Sequence, residues 1–137
     1  MYLKKSLFFG LFICLFASTT AFAQIGTVEQ KKGFNINILE DGTDIKLKCL
    51  VGCAWETLTF KVPRRGQMMT IDQLGRIGER STANNPDELA EFKIGLAKVR
   101  GEFILTGLEG VNWETLKFKL EEDNSNATVT AGGVRVR

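Results

Sequence analysis

A pair of cysteines is the first feature of this sequence that can do chemistry. Cys49 and Cys53 are separated by three residues, and the third cysteine, Cys14, lies in an apolar segment near the start of the chain. The sequence contains no histidine, which excludes Ser-His-Asp and Cys-His catalysis and leaves too few thiolate or imidazole ligands for a transition-metal site. We therefore predict a Cys49–Cys53 disulfide, no metal or other cofactor, and no enzymatic activity.

A segment that begins with tryptophan and glutamate occurs twice, first as Trp55–Leu58 and again as Trp113–Leu116. Its tryptophans, Trp55 and Trp113, are either a pair of platforms for sugar stacking or partner binding, or duplicated core residues. We expect the core, because large aromatic side chains are usually mostly buried. The two adjoining glutamates would serve glycoside hydrolysis only with a suitable separation and one raised pKa, and no sequence feature indicates either.

A group of arginines in the first half of the chain is the second candidate for partner binding. Its members are Arg64, Arg65, Arg76 and Arg80. Guanidinium groups bind carboxylates and phosphates through paired hydrogen bonds, so an acidic protein surface or an anionic glycan is a conceivable ligand. Scattered surface arginines also need no ligand, and a solvated charged rim is the alternative interpretation.

The repeated tryptophan segment belongs to a longer internal repeat with an offset of 58 residues. Aligning Ile45–Val62 with Phe103–Leu120 gives nine identical pairs among eighteen. The pattern of apolar residues also matches upstream of these two segments. Such self-similarity indicates a duplicated structural unit, and we predict two pseudo-repeats, at about residues 33–75 and 91–133.

Within each repeat the apolar residues alternate with polar ones, which is the period of a half-buried β-strand. One alternating run ends at Ile38 and the next begins at Ile45, and between them lies Asp41-Gly42, a strong signal for a two-residue hairpin turn. Such a turn predicts that Ile38 faces Ile45 and that, further along, Phe34 faces Cys49. All the apolar side chains would then lie on one face of the hairpin.

The rest of each repeat also reads as strands and turns. A three-residue loop, Leu50–Gly52, is predicted to place Cys49 directly opposite Cys53, and a β-bulge near Glu56-Thr57 would explain a change of phase in the next strand. Residues 75–87 are rich in turn formers and predict a long surface connection. The predicted fold class is all-β: a tandem duplication of an antiparallel meander of about four strands, forming a small sandwich or barrel.

The first 23 residues have the three parts of a cleavable secretory signal peptide. Lys4 and Lys5 precede an apolar run, Leu7–Phe16, and Ala21 and Ala23 are spaced for signal peptidase. The apolar run is shorter than the roughly 20 residues that span a membrane, so we expect no stable membrane insertion after cleavage. The mature protein should be a single domain, residues 24–137, that is secreted or periplasmic.

Charge argues against nucleic acid as a partner. The sequence has 18 basic and 16 acidic residues, and loss of Lys4 and Lys5 leaves a balanced mature chain, whereas nucleic-acid binding draws on a basic excess. We therefore predict a small exported β protein that binds a glycan or another protein through loops at one end. Two alternatives stay open: an inhibitor of an exported hydrolase that presents residues 63–66 or the loop at Cys49–Cys53, and an assembly subunit that joins copies through edge strands.

Overall fold

The computed structural model describes residues 32–121 and 125–137, and this part of the chain is built from antiparallel β-strands without an α-helix. The predicted signal segment and the new amino terminus at Gln24 lie outside the described residues. Two short 3-10 turns, Arg64–Gly66 and Pro86–Glu88, lie in connections. The strands are β1 Asn35–Asp41, β2 Asp44–Val51, β3 Thr57–Lys61, β4 Met69–Asp72, β5 Gly75–Arg76, β6 Glu79–Arg80, β7 Lys93–Val99, β8 Glu102–Glu109, β9 Thr115–Lys119, β10 Asn126–Thr130 and β11 Gly133–Val136.

The strands form two open antiparallel sheets, so the predicted all-β class is confirmed. A five-stranded sheet has the order β11-β10-β1-β2-β3, and a six-stranded sheet has the order β6-β5-β4-β7-β8-β9. The prediction that each half forms its own meander is wrong, because β4 pairs with β7 and β10 pairs with β1. The connection after β3 contains Pro63 and a 3-10 turn instead of a tight hairpin turn, and it carries the chain to the opposite sheet.

Residues that are 58 positions apart occupy matching places in the two sheets. In the six-stranded sheet Met69 pairs with Leu96, and in the five-stranded sheet Ala127 pairs with Ile38 in the same register. The hairpins β1–β2 and β7–β8 both carry a register irregularity at their first residue pair, next to Asn35 and Lys93. The pairing of β4 with β7 therefore corresponds to the pairing of β10 with β1, and the hairpin β7–β8 corresponds to the hairpin β1–β2.

The predicted register of the first hairpin is wrong by two residues. Ile38 pairs with Leu47, and Asp41 pairs with Asp44, so that Gly42 and Thr43 form the turn. Gly42 has a φ of 62° at the first central position, which is where a type II′ turn takes glycine. Because the shift is an even number of residues, the apolar side chains still share one face.

The predicted tight loop between β2 and β3 is also wrong. Strand β2 continues to Val51, and residues 52–56 form the connection to β3. Strands β2 and β3 then pair in a regular register from Lys48–Thr57 onward, so there is no bulge between them. The change of phase in the sequence arises because residues 52–56 leave the strand.

One hydrophobic core is made by side chains from both sheets. The rings of Phe34 and Phe92, which occupy matching positions, stack with centroids 4.2 Å apart at one end of the core. The rings of Phe103 and Phe118 stack at 5.2 Å. The largest fully buried side chains are Phe103, Ile36, Ile38, Ile45, Leu47, Ile71, Ile94, Leu96, Leu105 and Val129.

An ion pair joins the two sheets near their hairpin turns. Lys98 Nζ contacts Glu40 Oε1, and these residues also hold matching positions in β7 and β1. Lys98 Nζ lies 5.0 Å from the centroid of the Phe103 ring. Burial lowers the pKa of Lys98 below its ordinary value of 10.5. Each repeat therefore contributes one charge of opposite sign to a contact between equivalent positions.

Candidate functional site

The Cys49–Cys53 disulfide is present in the structure, as predicted from the sequence, with a Cα–Cα separation of 6.2 Å. It closes part of a segment that we call the disulfide loop, residues 49–56. The Cys49 N–H donates to the Glu56 carbonyl oxygen at 2.9 Å, so the end of the loop returns to strand β2. Both cysteines pack against the edge of the core. The bridge fixes the path of the chain at the point where it leaves the sheet.

A close approach at Gly52 anchors the disulfide loop to the neighbouring chain. Gly52 has a φ of 88°, and a Cβ atom there would lie 2.8 Å from the Gly33 carbonyl oxygen and 3.0 Å from the Ala90 Cβ. The Ala90 N–H donates to the Gly52 carbonyl oxygen at 2.9 Å. Only glycine combines this backbone conformation with such a close contact. The loop is therefore held against the connection that leads into β7.

A cleft of about 750 Å³ opens between the disulfide loop and residues 83–89. We call it the loop cleft. Leu50 and Val51, on one side, are 52% and 59% exposed, although side chains of this kind are commonly buried. Polar and charged side chains complete its lining, among them Lys32, Asn84, Glu56 and Glu88. The loop cleft thus combines an exposed apolar pair with a polar margin.

The second repeat builds an equivalent loop, residues 107–114, without a disulfide. Leu108 holds the position of Leu50 and is 42% exposed. Gly107 holds the position of Cys49, and a Cβ atom there would collide with the Trp113 carbonyl oxygen and the Val111 side chain. A cysteine at this position has no room. Gly110, which matches Gly52, lies against the Glu91 carbonyl oxygen and the Phe92 Cα, just as Gly52 lies against Gly33 and Phe34. Because the rings of Phe34 and Phe92 stack on each other, both loops lie at the same end of the domain.

The two repeated tryptophans connect the sheets. The Trp55 Nε1–H donates to the Asp72 carbonyl oxygen on β4, and the Trp113 Nε1–H donates to the Thr130 carbonyl oxygen on β10, both at 3.0 Å. Trp55 is only 5% exposed and belongs to the core. Trp113 is half-buried and packs at the edge of the same cluster. Their adjoining glutamates are both exposed, each at its own loop.

The four predicted arginines do not form one cluster. Arg64 and Arg65 are exposed in a 3-10 turn whose Gly66 lies against the Val99 side chain, at the turn end of β7. Arg80 lies beyond the other end of β4, where its Nη2 donates to the Asp72 carboxylate at 2.5 Å. The rise of strand β4 alone separates these places by about 10 Å. Arg76 lies between them on the short strand β5.

The buried carboxylate of Asp72 was not singled out by sequence reasoning. It is the only buried charged residue in the described part of the chain, and besides Arg80 it accepts a hydrogen bond from the Leu74 N–H at 2.9 Å. The signal available in the sequence was an acidic residue at a position whose match in the other repeat, 130, is threonine.

Among the described residues, no group of three or more His, Cys, Asp or Glu side chains is arranged to hold a metal ion. The same residues contain no helix long and apolar enough to cross a membrane. Comparison of the chain with protein-family models, curated proteins and solved structures finds no match.

Proposed function

We propose that this chain is an exported binding protein that holds a partner protein at its loop end, with the loop cleft as the centre of the contact. The observation that carries this proposal is the cleft of about 750 Å³ beside the exposed pair Leu50 and Val51. An apolar centre with a polar margin is the usual composition of a protein–protein interface. The disulfide and the Gly52 contact support it, because a loop that is ordered beforehand loses less entropy on binding.

A photo-crosslinking residue placed at position 50, in cells that produce the full chain, tests this proposal. We expect one discrete protein adduct, which an excess of unlabelled protein reduces. A second variant carries the same group in place of Lys117, an exposed residue of β9, and it should give no such adduct. Equal adducts at both positions, or none at position 50, would contradict the proposal, and an adduct that contains saccharide would identify a glycan as the partner.

An assembly subunit is the alternative from another class. Strands β3 and β9 lie at sheet edges, and exposed edges can recruit further strands. Their lysines, Lys61 on β3 and both Lys117 and Lys119 on β9, work against this, because edge lysines commonly prevent strand addition. We expect a constant mass in analytical ultracentrifugation at all concentrations, whereas growth with concentration would favour assembly.

An inhibitor of an exported hydrolase is the second alternative, and the turn at Arg64–Gly66 is the observation that favours it. Arg65 has a φ of 59°, which is uncommon for a residue with a side chain, and such residues concentrate at functional sites. Addition of the protein should lower the activity of the hydrolase if it has this role. The variant Arg65→Gly, or the protein with its Cys49–Cys53 disulfide reduced, should then inhibit less. Activity that is unaffected would exclude it for the hydrolase tested.

The evolutionary origin and the cellular location of the protein belong to the same proposal. We infer that the chain arose by tandem duplication and that its two sheets form a sandwich, since matching positions are identical in nine of eighteen pairs and one core draws on both sheets. The signal pattern supports export, with the mature chain beginning at Gln24. The intact mass of the protein purified from its native compartment tests this export, and retention of Met1 would contradict it.

A further inference from the structure

A polar pocket lies on the outer face of the five-stranded sheet, next to its edge strand β11. It has a volume of about 410 Å³, and Gly132 and Gly133 at the β10–β11 turn contribute to its lining. The buried neighbours Ile36 and Val129 face the core, so the residues that alternate with them point to the outer face. The polar and charged residues that line the pocket are Asn35, Thr128, Thr130, Arg135 and Arg137, and Gly132, Gly133 and Val134 complete its lining.

The strand register extends this pocket into a polar row across the sheet. Arg135 pairs with Thr128, Thr128 with Asn37, and Asn37 with Lys48, on four adjacent strands. Neighbouring strands lie about 4.8 Å apart, so the row offers a hydrogen-bonding side chain at regular intervals. The Thr128 hydroxyl donates to the Asn37 Oδ1 at 2.8 Å, which fixes the middle of the row. Cationic residues stand at both of its ends.

The positive charge of this face is only partly neutralised. Lys46 pairs with Asp41 and Lys61 with Asp44 near the hairpin turn. In the described ranges 32–121 and 125–137, Arg135, Arg137 and Lys48 form no ion pair. As far as the described residues go, the arginines at the pocket can therefore bind an anionic group of a ligand.

One residue that lines the pocket carries an atom without a hydrogen-bond partner. The Asn35 Oδ1 is buried and accepts no hydrogen bond from the described residues. A buried acceptor of this kind normally has a partner, and a hydroxyl group is one donor that can fill a polar pocket. The guanidinium groups of Arg135 and Arg137 require a hydrogen-bond acceptor instead, because they only donate. A ligand that matches the pocket has an acidic group next to hydroxyl groups.

The equivalent place on the six-stranded sheet is already neutralised. Asp72 stands where the pocket has Thr130, and its carboxylate binds Arg80 at 2.5 Å. Lys93 stands where the pocket has Asn35, and its ammonium group binds Glu109 at 2.5 Å. Ile77 takes the position of Arg135. Among the described residues, only one of the two matching places thus keeps cationic groups without an ion pair.

From these observations we propose that the pocket of Asn35 and Arg135 is a binding site for an acidic saccharide, with a uronic acid as the recognised unit. The two arginines bind the carboxylate, the Asn35 oxygen accepts a hydrogen bond from a ring hydroxyl, and the threonine hydroxyls complete the contact. Further units of the saccharide follow the polar row toward Lys48. This site is separate from the loop cleft and does not depend on it.

Calorimetric titration with oligogalacturonate tests the site, with a neutral glucose oligomer of the same length as the control ligand. We expect binding of oligogalacturonate and none of the glucose oligomer. Arg135→Gln should weaken binding about tenfold, which is the usual effect of losing one hydrogen bond to a charged group. Asn35→Ala keeps the charge of the protein and should weaken binding about fivefold through loss of a neutral hydrogen bond.

Arg64→Gln is the matched control variant, because it removes the same charge from an exposed turn outside the pocket. It should bind oligogalacturonate like the unchanged protein. Equal weakening by Arg64→Gln and Arg135→Gln, with no effect of Asn35→Ala, would mean general charge attraction and would overturn the proposal, as would the absence of binding. Arg135 is exposed, so its variant should fold, and an unchanged unfolding midpoint checks this. The crosslinking test at position 50 is independent of all these outcomes.

Discussion

Replacing each tryptophan by phenylalanine separates two side chains that the sequence makes look equivalent. Both indole groups donate one hydrogen bond of 3.0 Å to a strand of the opposite sheet, and phenylalanine keeps the ring but removes the donor. Trp55 is 5% exposed, whereas Trp113 is half-buried. Water can therefore replace the lost donor near Trp113 more readily than near Trp55.

The expected costs follow from this difference in exposure. A buried acceptor that loses its donor costs about 1 to 3 kcal/mol. The cost of Trp55→Phe should lie near the upper value, because the phenyl ring is also smaller than the indole ring that it replaces. Trp113→Phe should cost about 1 kcal/mol, since its hydrogen bond to the Thr130 carbonyl oxygen is only partly buried. With a urea slope of about 2 kcal/mol/M, the midpoint should fall by roughly 1.5 M for Trp55→Phe and by roughly 0.5 M for Trp113→Phe.

Urea unfolding at equilibrium measures these shifts, with the slope checked for constancy between variants. Each variant keeps a single tryptophan, so fluorescence reports on one site at a time. The tryptophan that remains in Trp113→Phe should emit in the blue and resist quenching by iodide, and the one that remains in Trp55→Phe should be quenched more. Equal midpoints, or a larger loss for Trp113→Phe, would refute the reasoning from burial.

Two further predictions concern the disulfide and the ion pair between the sheets. Replacing both Cys49 and Cys53 by alanine should lower the free energy of unfolding by only about 1 to 3 kcal/mol, because the bridge closes a short loop and the second repeat forms its loop without one, and unfolding in urea measures this. Glu40→Gln should cost about 1 to 3 kcal/mol, less than the loss of a fully buried pair, since the side chains of Lys98 and Glu40 are 15% and 25% exposed. Because burial lowers the pKa of Lys98, the folded state loses this proton at a lower pH than the unfolded state does, so the stability of Glu40→Gln should rise with alkaline pH as the pH approaches 10.5. Lys98→Met in the same background should remove that slope, and a slope that persists would assign it to other groups.

Much of the local structure was predictable because it depends on neighbours in the chain. The alternation around Ile36 and Ile38 identifies strands whose faces the structure confirms, and the Cys49–Cys53 bridge follows from spacing. The hairpin register was not predictable in the same way, because Asp41-Gly42 and Gly42-Thr43 both suit a two-residue turn. Both registers place the same side chains on the same face, so hydrophobicity does not decide between them.

The candidate sites were less predictable than the strands. The arginines are close in sequence, yet strand β4 separates Arg64 from Arg80. The polar pocket joins Asn35 to Arg135, which are almost the whole domain apart in sequence. No local pattern indicates such a pair, because it depends on which strand becomes the neighbour of β1.

The sequence by itself determined the all-β class, the internal repeat, the disulfide and the absence of histidine chemistry, because each of these depends on composition or on short-range spacing. Only the tertiary structure decided that each repeat gives a later strand to the sheet of the other repeat. Strand β10 of the second repeat pairs with β1, and strand β4 of the first repeat pairs with β7. That exchange puts strands of both repeats in each sheet and brings Asn35 close to Arg135, and the packing of the two sheets brings Glu40 to Lys98. The physical reason is that an apolar strand face can be covered equally well by either repeat, and the choice is made by long-range packing.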